Sequence, residues 1–80
     1  MHPAYQLGVI ELVLNEYDRA TKKFGEFNST HEGYAIIQEE LDELWDAVKK
    51  NDIEDSRKEA IQVAAMAIRY LIDSRDWRKL

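Results

Sequence analysis

Glu40 and Glu43 stand three residues apart in the run Glu39-Glu40-Leu41-Asp42-Glu43, and Glu59 and Gln62 repeat that spacing further along the chain. Both pairs lie in stretches of helical periodicity, where residues three apart project from neighbouring points on one surface, with Cβ atoms about 5–6 Å apart. If the chain reverses near Asn51, Glu43 comes level with Glu59 and Glu40 with Gln62, because each pair is equidistant from residue 51. Up to four oxygen-bearing side chains then face one another between two antiparallel helices. Oxygen donors grouped in this way suit hard divalent cations such as Mg²⁺.

Three helical stretches must position these groups. The first is expected from about Pro3 to Lys23: proline suits a first helical turn, and Gly25 suits the position just past the end. Its Val9, Ile10, Leu12, Val13, Leu14 and Tyr17 make a broad apolar surface. The second starts near Ser29 or Thr30, where Ser29-Thr30-His31-Glu32 has the form of a capping box, and continues to about Lys50. Asn51 and Asp52 mark a turn, and Asp52 or Asp55 caps a third helix running to about Arg75. No strand-like alternation persists beyond a few residues, so the expected fold is all-α: a single domain over residues 1–80, with no linker, repeat or low-complexity segment.

Helical-wheel positions separate the acids of the second helix. Ile37, Leu41, Leu44, Trp45 and Val48 form one apolar stripe, with Glu40 about 60° and Glu43 about 120° from Ile37 on the same side. Glu39, Asp42 and Asp46 point the other way. On the third helix Ile61, Ala64, Ala65, Ile68 and Ile72 make one apolar face, and Val63, Ala67 and Tyr70 cover much of another. Polar residues are confined to a sector holding Lys58, Glu59, Gln62, Arg69 and Asp73, with Met66 among them. A helix apolar nearly all round is normally buried on several sides. Two further helices from an 80-residue chain can hardly enclose it, so a bundle completed by a second subunit is expected.

Bulk properties narrow the function. A chain this short buries only about 60% of its unfolded surface. Without cysteine it has neither a disulfide nor a Cys-based zinc site to compensate, which leaves a bound metal or oligomerisation. No basic start followed by an apolar core and no membrane-length apolar run is present, so the cytoplasm is the expected location. The net charge of −5 argues against duplex nucleic acid, since phosphate binding relies on clustered Lys and Arg. A metal-bridged anion is compatible with that charge, because a bound cation reverses the local sign.

Taken singly, the residues have plain structural explanations. Glu40 and Glu43 could be a solvated acidic face, Glu59 could pair with Lys58 or Arg69, and Lys49 and Lys50 suit the negative end of a helix dipole. Trp45 and Met66 are favoured as core. His31 is a helix-start residue. The joint pattern, matched in spacing and in level, is what points to a site.

The order Glu-Glu-x-x-Glu, a gap of a dozen or more residues, then Glu-x-x-Asp is the signature of the all-α nucleoside triphosphate pyrophosphohydrolases, the MazG-like group. The chain resembles small members of that family, phage-encoded ones included, over roughly residues 29–73, through His31 to Trp45 and again through Glu59 to Ala67. The resemblance implies Mg²⁺-dependent cleavage (Mn²⁺ being an alternative) of an NTP or dNTP to the monophosphate and pyrophosphate. It also implies helices shared between subunits of a homodimer or homotetramer. Glu40 and Glu43 match the first metal-binding pair, with Glu43 also at the catalytic centre, and Glu59 matches the third ligand. Glu39 matches the leading acid, in an outer shell or acting on the attacking water. Gln62 stands where the pattern has Asp; its amide oxygen can coordinate a cation but adds no charge and cannot act as a base. Lys49, Lys50 or Arg69 are candidates for the outgoing phosphates, and Tyr34, Phe27 or Trp45 for stacking on a base. The competing expectation is an assembly module of the same fold with weakened or lost chemistry, of which Gln62 is the trace. A three-helix nucleic-acid binder fits poorly, the basic residues being scattered and outnumbered.

Overall fold

The computed structural model describes residues 3–79 and contains three α-helices followed by one short 3-10 helix, with no strand among the described residues. Helix α1 spans Pro3–Phe24, α2 Thr30–Lys49 and α3 Ile53–Asp73; the 3-10 segment covers Ser74–Lys79. The all-α expectation holds, and among the described residues no helix is long and apolar enough to cross a membrane.

The ends of the helices follow from local chemistry. Gly25, at φ +73°, donates its N–H to Thr21 O at 2.9 Å and stops α1 in a left-handed cap. Ser29 caps α2, its Oγ accepting from Glu32 N at 3.1 Å. The reciprocal half of the expected capping box is displaced by one residue: the Glu32 carboxylate accepts from Asn28 N at 3.2 Å rather than from Ser29 N. At the far end Asn51 adopts φ +56°, and the bonds Asn51 N to Val48 O and Asp52 N to Ala47 O complete a Schellman motif. Asp52 then caps α3 by accepting from Asp55 N at 3.0 Å. Asn51 alone separates the Lys50 and Asp52 caps, and the chain reverses there, giving the α2–α3 hairpin that the paired motifs require.

Helix α3 packs against both other helices, most extensively against α2, while α1 and α2 barely meet. The buried core is small: Ala20, Phe27, Ala65 and Met66, flanked by partly buried Val13, Tyr17, Ile36 and Tyr70. Helix α2 approaches α3 through Gly33, Ile36, Glu40 and Ala47, which recur at helical spacing on one face and lie buried or half-buried. The apolar stripe read from the sequence is therefore not the contact face throughout. Ile37 and Leu44 are half-buried, but Leu41, Val48 and Trp45 face outward, and Trp45, expected in the core, is 58% exposed. Small residues mark the face that turns inward, Gly33 and Ala47 both being buried.

Gly33 is the clearest instance. A Cβ there would come 2.5 Å from Tyr70 Cδ2, and the Tyr70 ring also makes an edge-on contact with Trp77, the ring centroids 5.8 Å apart. Gly33→Ala should lower stability despite the roughly 1 kcal/mol gained in helix propensity, since overpacking costs about 1–3 kcal/mol. Chemical denaturation would measure this; an unchanged or raised midpoint would mean that Tyr70 moves aside freely.

The fold is open for its size. Its radius of gyration is 13.8 Å, where a compact 80-residue chain is expected near roughly 11.6 Å. Its accessible surface is 6076 Å², against about 5000 Å² for a monomeric protein of this mass. Much of the excess is apolar: Leu7, Ile10, Leu12 and Leu14 of α1 and Leu71 and Ile72 of α3 all stand in solvent. The polar sector of α3, by contrast, turns inward. Glu59, Gln62 and Asp73 are half-buried and Arg69 is buried, with Asp73 Oδ2 accepting from Phe27 N at 2.9 Å to tie the α1–α2 loop to the end of α3.

Candidate metal centre

Glu40 and Glu43 on α2 meet Glu59 on α3, each offering a carboxylate oxygen within 4.8 Å of the other two. Glu40 and Glu59 are half-buried, and Glu43 lies at the exposed edge.

The electrostatics of the cluster are unfavourable without a counter-ion. Burial, and then the nearby charges of Glu43 and Glu59, push the Glu40 carboxyl up to about 7. The Glu59 carboxyl is raised as well, first by burial and then by hydrogen bonding with Glu43. Glu59 Oε2 is buried and has no hydrogen-bond partner. An orphaned carboxylate oxygen beside two other acids is what a cation would satisfy, so the donor set fits a hard divalent ion.

Helix α1 contributes a second layer that the sequence reading missed. Glu16 pairs with Arg19 through Nε at 2.9 Å and Nη2 at 2.5 Å, and that pairing leads the influences holding its carboxyl below the ordinary range. The Gln62 amide and Lys58 add smaller contributions in the same direction. Arg19 in turn feels the charge of Glu40. Gln62 therefore faces a carboxylate on α1 as well as the cluster on α2 and α3. The signal lies in the i,i+3 pair Glu16 and Arg19, on the side of α1 that carries Val13, Tyr17 and Ala20, where the apolar surface of α1 masks it.

Beside the carboxylates lies a pocket of about 400 Å³ between the three helices, bounded by Phe24, Phe27, Glu39, Glu40, Gln62 and Arg69 among others. Glu40 is common to the pocket and the metal-binding group, while Glu39 is exposed on the pocket wall. The remaining sequence candidates separate. Arg69 is brought to the pocket. Lys49 and Trp45 are not; they pair with each other on the outer face of α2, with the ammonium 5.7 Å from the indole ring. Phe27 is only 5% exposed and lies under the Arg69 guanidinium at 4.2 Å, which takes one of its ring faces out of play as a stacking platform. Tyr34 projects outward at 67% exposure.

Compared with models of known families, with curated proteins and with solved structures, the chain matches none.

Proposed function

We propose that the chain is a divalent-cation-dependent nucleoside triphosphate pyrophosphohydrolase of the MazG-like type, with Glu40, Glu43 and Glu59 holding the cation. The observation that carries this reading is the convergence of three carboxylates from two antiparallel helices, with a buried unpartnered oxygen on Glu59, beside a pocket large enough for part of a nucleotide. A Mg²⁺ or Mn²⁺ bound there supplies charge neutralisation for triphosphate oxygens. The glutamates orient that charge toward the pocket, and Gln62 supplies a neutral oxygen in place of a fourth carboxylate. Glu39, a carboxylate free of burial on the pocket wall, accepts a proton from the attacking water. The water oxygen bonds to phosphorus, the bridging phosphorus–oxygen bond breaks, and pyrophosphate leaves with the electron pair. Chromatography of products from a panel of NTPs and dNTPs tests the reading: monophosphate and pyrophosphate are expected. Nucleoside diphosphate and phosphate, or no cation-dependent product at all, would contradict it.

The same reading includes self-association. The surface exceeds that of a monomer of this mass by roughly 1000 Å², close to the roughly 800 Å² that each partner buries in a standard interface. A groove of about 660 Å³ between α1 and α3, formed by Tyr5, Val9, Ile10, Val13, Ile61 and Ala64 among others, is nearly all apolar, with Arg57 at its edge. Light scattering coupled to size exclusion should give at least twice the 9.4 kDa chain mass, and Ile10→Asp should reduce it to one chain. A monomeric wild type would remove this part of the reading.

A second reading, favoured by Gln62 in place of an acid, is an assembly module of the same fold without turnover. It shares the oligomer and lacks the hydrolysis, so the product assay separates the two.

A further inference from the structure

Arg69 is only 3% exposed, yet it forms no ion pair with any carboxylate among the described residues. Its Nη2 donates to Gly25 O at 2.7 Å, Nη1 reaches only Met66 Sδ at 3.2 Å, and Nε is buried with no partner. A guanidinium carries five N–H donors. Here one carbonyl, one thioether and the face of Phe27 are all that answer them. A buried cation without a counter-charge is expensive to maintain, and removing charges from water is tolerated when an anion and its hydrogen bonds compensate. Among the described residues no carboxylate comes within ion-pair distance of this group. Glu32, the pocket acid on the first turn of α2, is committed to Asn28 by contacts of 3.2 Å from N and 3.1 Å from Nδ2.

We propose that Arg69 forms an anion-binding subsite that takes a phosphoryl group in the pocket adjoining the carboxylate cluster. The inference rests on reading that cluster as a cation site. Arg69, Gln62 and Glu40 line one continuous pocket, and Glu40 belongs to the cluster as well. Side chains on a helix lean toward its N-terminus, and the Nη1 contact sets the guanidinium beside Met66. Met66 is seven residues past Glu59, the α3 member of the cluster, about 10 Å along the axis. A ligand with two linked phosphoryl groups, one on the cation at the glutamates and the other reaching the Arg69 donors, bridges that separation. The subsite therefore favours pyrophosphate or the distal end of a triphosphate over a single phosphate. It also assigns the phosphate-contacting role to Arg69 and away from Lys49, which lies on the outer face of α2.

Calorimetric titration of inorganic pyrophosphate into the full chain at pH 8, with and without Mg²⁺, tests this. Wild type, Arg69→Lys, Arg69→Met and Glu43→Gln are compared, with helicity and melting temperature recorded for each. Losing a bidentate, charge-assisted contact should weaken Mg²⁺-pyrophosphate binding by about 10- to 100-fold in both Arg69 variants, lysine keeping the charge but not the fork. A purely structural Arg69 would lower the melting temperature and leave the affinity of folded protein unchanged, which overturns the proposal. Binding that needs Mg²⁺ and Glu43 but ignores Arg69 also overturns it while leaving the cation site standing. Binding that ignores Mg²⁺ and Glu43 but is lost in the Arg69 variants supports the subsite and removes the cation reading. Should neither Arg69 variant fold, the Arg69 Nε–H resonance of ¹⁵N-labelled wild type decides: a shift on adding pyrophosphate supports contact, and an unmoved resonance under saturating pyrophosphate contradicts it.

Discussion

Glu40→Gln should make the metal-free protein more stable at pH 8 and lower its turnover by about 10³-fold. Burial, followed by Glu43 and Glu59, pushes the Glu40 carboxyl up to about 7, so at pH 8 the folded protein holds a charge that its surroundings oppose. Glutamine keeps the shape and removes the charge. Solvent screens a half-buried group, which reduces the gain to roughly 1 kcal/mol. For a domain of this size that is a rise of about 4–8 °C in melting temperature. Activity moves oppositely, because one of three anionic donors is gone. A metal ion contributes several kcal/mol to charge neutralisation, and each 1.36 kcal/mol is tenfold in rate, so a loss of about 10³-fold is expected. Asp42→Asn is the control. Asp42 is exposed, accepts from Gln38 Nε2 at 2.8 Å and lies outside the cluster, so it should change stability by less than about 0.5 kcal/mol and leave turnover intact. A Glu40→Gln protein that is less stable and fully active would sink the assignment of this residue.

Without a divalent cation, stability should fall as pH rises from about 4.5 to about 7. A carboxyl whose folded pKa lies above its ordinary value binds its proton more tightly in the folded state. Over the window between the two values the folded protein therefore carries more protons than the unfolded chain, and the stability gained from them is lost as pH increases. Glu40 sets the upper limit at about 7, and Glu59 shifts in the same direction. Divalent cation reverses the slope at high pH. It binds the ionised cluster, competes with protons, and stabilises according to its concentration relative to Kd. Melting temperatures at pH 5 and pH 8, each with and without Mg²⁺, should show the metal-free protein several degrees less stable at pH 8. Mg²⁺ should restore most of that difference at pH 8 and add little at pH 5. Equal stabilisation at both pH values would mean that the cation binds elsewhere.

The hairpin of α2 and α3 was legible because its signals are local. Ser29, Asn51 and Asp52 each do at their position what their side chains favour, and the symmetry of the acidic pairs about residue 51 fixes which groups meet. Met66 lies in the core as its side chain favours, although it falls within the polar sector of α3. Tertiary choices were less visible. The helical wheel gives α2 a stripe through Trp45, but the face that turns inward is the one carrying Gly33, packed on the Tyr70 ring, and Ala47, which leaves that tryptophan outside. Arg69 was read as part of a polar sector and lies buried over Phe27, which sequence spacing alone does not convey. Glu16 was overlooked because its closeness to Gln62 depends on how α1 crosses α3. The expectation that α3 keeps uncovered apolar surface held, with Ala67, Leu71 and Ile72 exposed.

Titration of Mn²⁺ into the protein at pH 8, followed by electron paramagnetic resonance, tests the cation site most directly. The account predicts saturable binding that is abolished in Glu43→Ala and Glu59→Gln and retained in Asp42→Asn, all four proteins being equally helical. Absent binding in wild type, or binding that survives removal of Glu43 and Glu59, would contradict it.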